Sequence, residues 1–410
     1  MAVLLANFSL GARLAGAQQR TRTIQLFDGV AFPTGIAFDS KGTMYFNERP
    51  GRVRVARGRN LLPRPLAKVP TSTVGETGLL GITVSPDDSF VYVFATVEDG
   101  SSNEVLRVPA RGGRLETIVE GLPASVYHNG GGVVFASDGT LLVSNGERHE
   151  SERSQQPDVL GGKVYRFSAE GSIPPDNPFG DSPTFALGLR NPYGIAVDPV
   201  SRDAFVTENG PSSFDEVNRI TRGGNYGWPL VTGPSDDVSA SDVVGTYHDP
   251  VLSFEQIVVP TGIAFADESD RLGDVSGDLF FATYGEQSIH RVELDAAREH
   301  AVSDEIIVRS PEPVIALAWG PRGLYYSTPT QVRLVPFATS GGENDQHDRQ
   351  SRDRGAAGKP RSERREQSDE PSTAGTIIQV LVGVLLLGGL AWSLSRGRRP
   401  AAGPPGRPRP

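Results

Sequence analysis

The chain has 410 residues, a formal net charge of −9 and no cysteine, and it contains 48 glycines and 32 prolines. Without cysteine it has no disulfide, no thiolate metal site and no cysteine nucleophile, and its negative charge argues against a nucleic-acid-binding protein. The high glycine and proline content is typical of short strands joined by tight turns.

The first segment, residues 1–20, is mildly apolar and contains the small residues Ala15, Gly16 and Ala17, which resemble a signal-peptidase site. It lacks a basic start, and Arg13 interrupts the apolar region. We therefore expect either a weak or truncated export signal, or a true start that lies further upstream.

A short pattern of small, β-branched and aromatic residues recurs six times, at intervals of 46 to 68 residues. Most copies lead into a turn and then a second β-rich string, such as residues 43–46 or 140–143. Short strands and turns repeated at this interval indicate the blades of a propeller. We therefore predict an all-β fold, a six-bladed β-propeller, over residues 21–339. The six copies begin at residues 34, 80, 131, 193, 261 and 315.

The C-terminal part has a different composition. Residues 340–374 are polar, which predicts a disordered linker. Residues 375–395 carry no charge and are rich in Leu and Val, so they predict one transmembrane helix. Residues 396–410 contain five arginines and no acid, which predicts a cytoplasmic tail and places the propeller on the extracytoplasmic side of the cell membrane.

Six strings rich in glycine, asparagine and charged residues lie within the propeller region. Together and in this order they resemble the glucose/sorbosone dehydrogenase family, six-bladed propellers that include aldose sugar dehydrogenases dependent on pyrroloquinoline quinone. The resemblance covers about residues 34–336, and it implies a dehydrogenase that oxidises a sugar with this quinone and calcium and passes electrons to an external acceptor. The strings are residues 75–81, 127–131, 188–194, 208–211, 215–218 and 224–229.

His128 stands just before a run of glycines at the start of the third copy. Glycines let the backbone pass close to a ligand, and propeller ligands bind over the central channel. A histidine there can act as a base near neutral pH, or it can be a hydrogen-bonded structural residue. The resemblance implies the first role, in which this histidine takes the proton of the anomeric hydroxyl while hydride passes to the quinone.

Arg190 and Asn191 precede a proline, so their backbone is expected to be extended. The guanidinium could contact a carboxylate or a quinone oxygen, or it could clamp neighbouring carbonyl groups. The resemblance implies that both residues bind the cofactor.

Carbonyl oxygens in the turn at Gly210 and Pro211 suit a hard cation such as calcium. The resemblance implies that these two carbonyls hold the calcium that polarises the quinone. It also implies that Glu216 and the carbonyl of Tyr226 hold a second, structural calcium. The alternative is a turn held by Asp215 and Glu216 without any metal.

Three positions depart from the family pattern. Residues 313–317 replace an Arg-x-Arg-Asp string, Tyr284 replaces a lysine, and Gly132 replaces an arginine. The quinone carries three carboxylates, which need cationic or amide partners when they are desolvated. Two alternatives to the dehydrogenase therefore stay open: a propeller that binds carbohydrate or a protein partner without redox chemistry, and a metal-dependent lactonase.

Overall fold

The computed structural model describes residues 21–235, 243–267 and 275–337. These residues form six β-sheets and one 3₁₀ helix, Ser151–Gln155. The innermost strands of neighbouring sheets contact one another in chain order, and the innermost strand of the last sheet contacts that of the first. The sheets therefore close into a ring, and the prediction of an all-β propeller is confirmed.

Each sheet is built from strands that follow one another in the chain, with two exceptions. The N-terminal strand β1 (Ile24–Asp28) joins the last sheet, and two short strands from further along the chain extend the third sheet. Sheet 1 contains β2 (Pro33–Phe38), β3 (Thr43–Glu48), β4 (Arg52–Arg57), β5 (Asn60–Leu61) and β6 (Ala67–Lys68). Sheet 2 contains β7 (Leu79–Val84), β8 (Phe90–Thr96), β9 (Ser102–Pro109) and β10 (Glu116–Pro123). Sheet 3 contains β11 (Val133–Phe135), β12 (Leu141–Asn145), β13 (Lys163–Phe167) and β14 (Thr184–Leu187), extended by β18 (Gly224–Asn225) and β19 (Thr246–Tyr247).

The second half of the ring has the same plan. Sheet 4 contains β15 (Pro192–Val197), β16 (Ala204–Glu208), β17 (Asp215–Ile220) and β20 (Leu252–Phe254). Sheet 5 contains β21 (Pro260–Phe265), β22 (Leu279–Thr283), β23 (Ser288–Leu294) and β24 (Ala301–Arg309). Sheet 6 contains β25 (Leu317–Gly320), β26 (Gly323–Ser327) and β27 (Gln331–Pro336), and β1 completes it.

An apolar cluster lies between each pair of neighbouring sheets. Val53, Leu79 and Val93, for example, are fully buried between sheets 1 and 2. Side chains of a strand point alternately to its two faces, and here both faces of the inner strands meet a neighbouring sheet. This is why the second strand of each repeat is mostly apolar and buried, as in Phe90–Thr96.

The ring is closed by pairing the two ends of the described chain. β1 runs antiparallel to β27, with Ile24 opposite Leu334 and Gln25 opposite Arg333. Sheet 6 is therefore complete only when the N-terminal strand is in place, and this pairing covers an edge that would otherwise be open.

The recurring glycine of the repeat marks the place where inner strands approach most closely. A Cβ atom added to Gly81 would lie 2.0 Å from the carbonyl oxygen of Gly131, and one added to Gly262 would lie 2.4 Å from the backbone nitrogen of Leu317. No side chain fits there. Neighbouring inner strands therefore pack tightly against each other at this level of the ring.

The remaining predicted segments lie outside the described residues: the export segment (1–20), the linker (340–374), the transmembrane helix (375–395) and the tail (396–410). Within the described ranges, no helix combines the length and the apolar character that crossing a bilayer requires.

Candidate functional site

Two adjoining cavities lie at the mouth of the axial channel. The first, the axial cavity, encloses about 610 Å³, and its walls include Phe32, Tyr193 and Tyr284. The second, the outer cavity, encloses about 430 Å³, and its walls include Tyr127. Glu76 lines both. The mouth is therefore concave and combines aromatic walls with polar side chains, as small-molecule sites commonly do.

The structure brings most of the predicted site residues together at the outer cavity. Glu216 and Tyr226 do not line this cavity. Glu216 lies in the interior of sheet 4 and Tyr226 lies just after β18, and each makes its own hydrogen bonds. The predicted residues that line the outer cavity are His128, Arg190, Asn191, Gly210 and Pro211.

His128 is held by two carboxylates from different loops. Its backbone has a positive φ of 56°, and its N–H donates to Glu76 Oε2 over 2.7 Å. Its ring Nδ1 lies 2.5 Å from Oε1 of Glu147, which follows the end of β12. A carboxylate that accepts the Nδ1 proton leaves the lone pair of Nε2 free. This arrangement orients the imidazole as a proton acceptor.

Burial shifts the pKa of both members of this pair toward the neutral form. Burial lowers the pKa of His128 well below its usual value, and the nearby Arg190 and His149 lower it further. Burial raises the pKa of Glu147 to about 7, although Arg190 opposes that rise. Above pH 7 the imidazole is therefore neutral and Glu147 is ionised, which is the state in which His128 can accept a proton.

His149 covers one face of the His128 ring. The ring centroids are 4.0 Å apart and the planes differ by 19°. Tyr127 meets His149 edge-on at 5.1 Å. Burial is also the main cause that lowers the pKa of His149. These three rings form an aromatic wall on the outer cavity.

Arg190 and Asn191 are fixed by the acid at the end of β16. The two carboxylate oxygens of Glu208 accept the backbone N–H groups of Arg190 (3.1 Å) and Asn191 (2.6 Å). The Asn191 side-chain oxygen accepts the N–H of Gly130, which ties this loop to the His128 loop. Burial raises the pKa of Glu208 to about 8. Glu208 therefore positions both predicted cofactor-binding residues.

The Arg190 guanidinium has a structural partner of its own. Its Nη1 donates to the carbonyl oxygens of Asn209 (3.0 Å) and Gly210 (3.1 Å), and the group lies over the Trp228 ring. It therefore makes the clamp that the sequence left open as an alternative. The same guanidinium lines the outer cavity, so the clamp also holds a positive charge at the site.

Asp215 holds the turn that carries Gly210 and Pro211. Its Oδ1 accepts the N–H of Gly210 (2.8 Å), and its Oδ2 accepts the N–H groups of Val258 and Val259 (2.7 Å each). Asp215 therefore ties the turn to the loop at residues 258–259. The Gly210 carbonyl has a second lone pair and remains able to bind an ion.

Glu216 and Tyr226 occupy separate positions. The Glu216 oxygens accept the Gly233 N–H and the Asn218 amide, both at 3.0 Å. Burial raises the pKa of Glu216 to about 7. The Asn218 Oδ1 is buried and has no hydrogen-bond partner among the described residues, so an additional ligand oxygen is available beside Glu216. Such an oxygen pair suits a hard cation.

Sequence reasoning missed Glu147, His149 and Glu208. A pattern in the repeats could have found two of them, because Glu48, Glu147 and Glu208 all lie at or just after the end of a second strand. Glu48 also accepts a backbone N–H at the mouth, that of Ala31 (3.0 Å). Acids at this position of the repeat therefore tie the mouth loops together.

The comparisons with known proteins agree with the architecture. The family model described as glucose / sorbosone dehydrogenase matches residues 30–331. Aldose sugar dehydrogenase YliI of Escherichia coli is 28% identical over 295 residues, covering 64% of this chain and 78% of that protein. Quinoprotein glucose dehydrogenase B of Acinetobacter calcoaceticus is 31% identical over 201 residues, covering 40% of this chain and 42% of that protein.

Two solved structures also align with about three quarters of the chain. A Thermus thermophilus protein described as a putative oxidoreductase (glucose dehydrogenase) aligns with a TM-score of 0.68 and 32% identity, covering 76% of this chain and 98% of that one. The aldose sugar dehydrogenase of Streptomyces coelicolor in its quinone-bound form aligns with a TM-score of 0.66 and 26% identity, with the same coverages.

Proposed function

Since the chain belongs to the glucose/sorbosone dehydrogenase family, we propose that it is a sugar dehydrogenase that oxidises a sugar hydroxyl with pyrroloquinoline quinone and calcium. The observation that carries the proposal is the His128–Glu147 pair, which shares one cavity with Arg190 and Asn191. Such a base can take the hydroxyl proton, and the cation and the amide can stabilise developing charge, while a bound oxidant would accept the hydride.

The chain's own residues account for the proton. Glu147 accepts the Nδ1 proton, and Nε2 of His128 takes the proton of the sugar hydroxyl. The Arg190 guanidinium stabilises negative charge that develops in the cavity, where burial strengthens its effect. The quinone, when bound, supplies the two-electron acceptor for the hydride that leaves the sugar carbon.

The residues present fit one end of the quinone better than the other. Arg190 and Asn191 can donate to its carbonyl oxygens. The carboxylates would face Tyr284 and the apolar Ile315. Among the described residues that line the axial cavity, Arg49 is the one basic side chain, and it already donates to backbone carbonyls. We therefore expect the cofactor to bind weakly.

The proposal includes two calcium sites. The carbonyls of Gly210 and Pro211 would hold one ion at the outer cavity, where Arg190 already shares the Gly210 oxygen. Glu216 and the unpartnered Asn218 Oδ1 would hold a second, structural ion, together with the carbonyl of Tyr226. The second place has the better supply of free oxygen ligands.

A second candidate function is a propeller that binds carbohydrate without redox chemistry. Three buried polar atoms at the axial cavity have no hydrogen-bond partner among the described residues: Glu76 Oε1, Asn209 Oδ1 and the Tyr284 hydroxyl. Two of them are acceptors, which attract hydroxyl donors and repel carboxylates. A neutral, hydroxylated ring therefore matches this cavity better than a tricarboxylate.

We also propose a location and a redox partner. The uncharged stretch at residues 375–395 and the arginine-rich tail behind it support a single membrane anchor, with the propeller on the extracytoplasmic side. The electrons would then pass to an external acceptor. Fractionation of cells that express the full chain, followed by external protease treatment, tests this: the propeller should be found with the membranes and be cleaved from outside.

Reconstitution separates the two candidate functions. The purified full chain is incubated with the quinone and calcium, and dye reduction is followed with a panel of aldoses. Dye reduction that depends on quinone and sugar, and that is lost in His128→Ala, supports the dehydrogenase. Sugar binding by calorimetry without cofactor absorbance or turnover supports the binding propeller. Turnover that persists in His128→Ala would contradict the assigned base.

A further inference from the structure

We propose that His128, Glu147 and His149 bind one divalent transition-metal ion such as Zn²⁺. One nitrogen of each imidazole and one oxygen of the carboxylate lie within 4.8 Å of one another. Two imidazoles and a carboxylate are a ligand set suited to zinc, whereas calcium takes oxygen ligands. This site is therefore distinct in chemistry from the calcium positions at Gly210 and Glu216.

Two of the three ligands are already neighbours, and the carboxylate oxygen must move away from Nδ1 by a little under 1 Å to admit the ion, since the N and O ligands of a tetrahedral zinc lie about 3.3 Å apart. The His128 ring and the Glu147 carboxylate are both buried and lie 2.5 Å apart. The Glu147 backbone N–H donates to the carbonyl of Arg190 over 2.9 Å, and the His128 N–H donates to Glu76. A Cβ atom added to Gly146, between them, would lie 2.2 Å from the His128 carbonyl oxygen. Close packing therefore fixes the two loops relative to each other.

His149 is the third ligand, and its ring has room to turn. Its backbone N–H donates to Glu147 Oε1 over 3.1 Å, so its Cα is anchored beside the carboxylate, while its side chain is exposed. Because the two imidazoles now stack almost in parallel, their lone pairs do not converge. Coordination requires the His149 ring to turn out of the stack, and its exposed position allows that rotation.

The surroundings suit an open metal site. The cluster faces the outer cavity, so a fourth position stays available to water or to a sugar hydroxyl, as in catalytic zinc sites. The Arg190 guanidinium opposes a second cation there. It is offset by the carboxylates of Glu76 and Asp215, which line the same cavity, and by Glu147 itself.

An ion at this place would have a direct consequence for His128. It would take the position of the proton that now lies between Nδ1 and Glu147 Oε1. Bound zinc and the proton transfer proposed above would therefore exclude each other. Metal binding itself does not depend on the dehydrogenase, so zinc binding in a protein that oxidises no sugar would leave this inference standing.

The test is metal titration of the full chain after treatment with a chelator. Calorimetry with Zn²⁺ should show one site at the cluster, and Co²⁺ should develop the visible absorption of a low-coordinate nitrogen-ligated ion. The variant His149→Asn should weaken zinc binding at least about tenfold, because it removes a ligand. The matched control is His300→Asn, which removes an exposed histidine that contacts Asp295 in another loop.

Two results would overturn the proposal. One is zinc binding that is equally tight in His149→Asn and in His300→Asn. The other is that neither Zn²⁺ nor Co²⁺ binds at concentrations that fill known sites made of two imidazoles and a carboxylate. Because His149 is exposed, both variants should keep the thermal midpoint of the wild type. Glu147→Gln, which preserves side-chain volume, serves as a second test and should weaken binding as well.

Discussion

Replacing Glu147 by Gln should raise stability and lower activity at the same time. The raised pKa of Glu147, from 4.5 to about 7, corresponds to about 3 kcal/mol against the ionised form in the folded chain. For a carboxyl whose pKa is raised by folding, stability falls as pH rises from about 4.5 to about 7 and stays low above that. Glutamine has no such cost, so at pH 8 the variant should be more stable by up to about 3 kcal/mol.

The activity should change in the opposite direction. Glutamine can still accept the Nδ1 proton, but it lacks the charge that supports a developing imidazolium on His128. General-base catalysis contributes about 10²- to 10⁴-fold, and loss of an orienting carboxylate removes a large part of that. We expect kcat to fall about 100-fold. In the wild type, kcat should rise with pH through about 7, as Glu147 ionises, and this rise should be absent from the variant.

Two assays check this prediction. Denaturant unfolding at pH 5 and pH 8 gives the free energy of unfolding, and dye-coupled turnover across the same pH range gives kcat. The reasoning is refuted if the variant keeps kcat within about twofold, or if it loses several kcal/mol at pH 8. The latter result would mean that Glu147 is a structural ion-pair partner and does not position His128 for proton transfer.

Three further substitutions test separate parts of the structure. Tyr284→Lys places a cation at the axial cavity and should tighten quinone binding about tenfold in fluorescence titration, because a charge-assisted hydrogen bond contributes about 1.5–3 kcal/mol. An unchanged affinity would show that the quinone carboxylates bind elsewhere. Lys163→Met removes a donor from the carbonyls of Arg153, Ser154 and Gly161. The first two keep a backbone donor, so the main loss is at Gly161 and should cost about 2 kcal/mol in denaturant unfolding, whereas an unchanged free energy of unfolding would contradict that role. Asp215→Asn removes one of the two oxygens that accept three backbone N–H groups, so it should lower the free energy of unfolding by about 2 kcal/mol and weaken sugar binding in calorimetry. If stability and sugar binding were both unchanged, Asp215 would not be what holds the turn.

The repeat predicted the ring because one physical pattern recurs along the sequence. The glycine that five of the six copies share lies where neighbouring inner strands meet, and the largely apolar second strands fill the space between sheets. Strand pairing between β1 and β27 could not be predicted in the same way. It joins residues about 300 positions apart, and residues 24–28 carry no repeat motif that marks their partner.

The sequence indicated which residues belong to the candidate site better than it indicated which residues they contact. His128, Arg190 and Gly210 stand in recognisable strings, and the fold brings their loops to one cavity. The sequence could not show that Arg190 uses the Gly210 carbonyl, because the clamp depends on the path of two loops. Glu147 escaped notice for a similar reason, since the pairing of β11 with β12 is what brings its loop beside the His128 loop.

Single-turnover kinetics test the central claim most directly, namely that His128 and its cavity oxidise a sugar. The quinone-loaded full chain is mixed with a substrate aldose that carries either hydrogen or deuterium at C1, and the reduction of the quinone is followed by its absorbance. We predict slower reduction with the deuterated sugar, and almost none in His128→Ala. Equal rates for both sugars in wild type and variant, or no reduction at saturating quinone, would contradict the assignment.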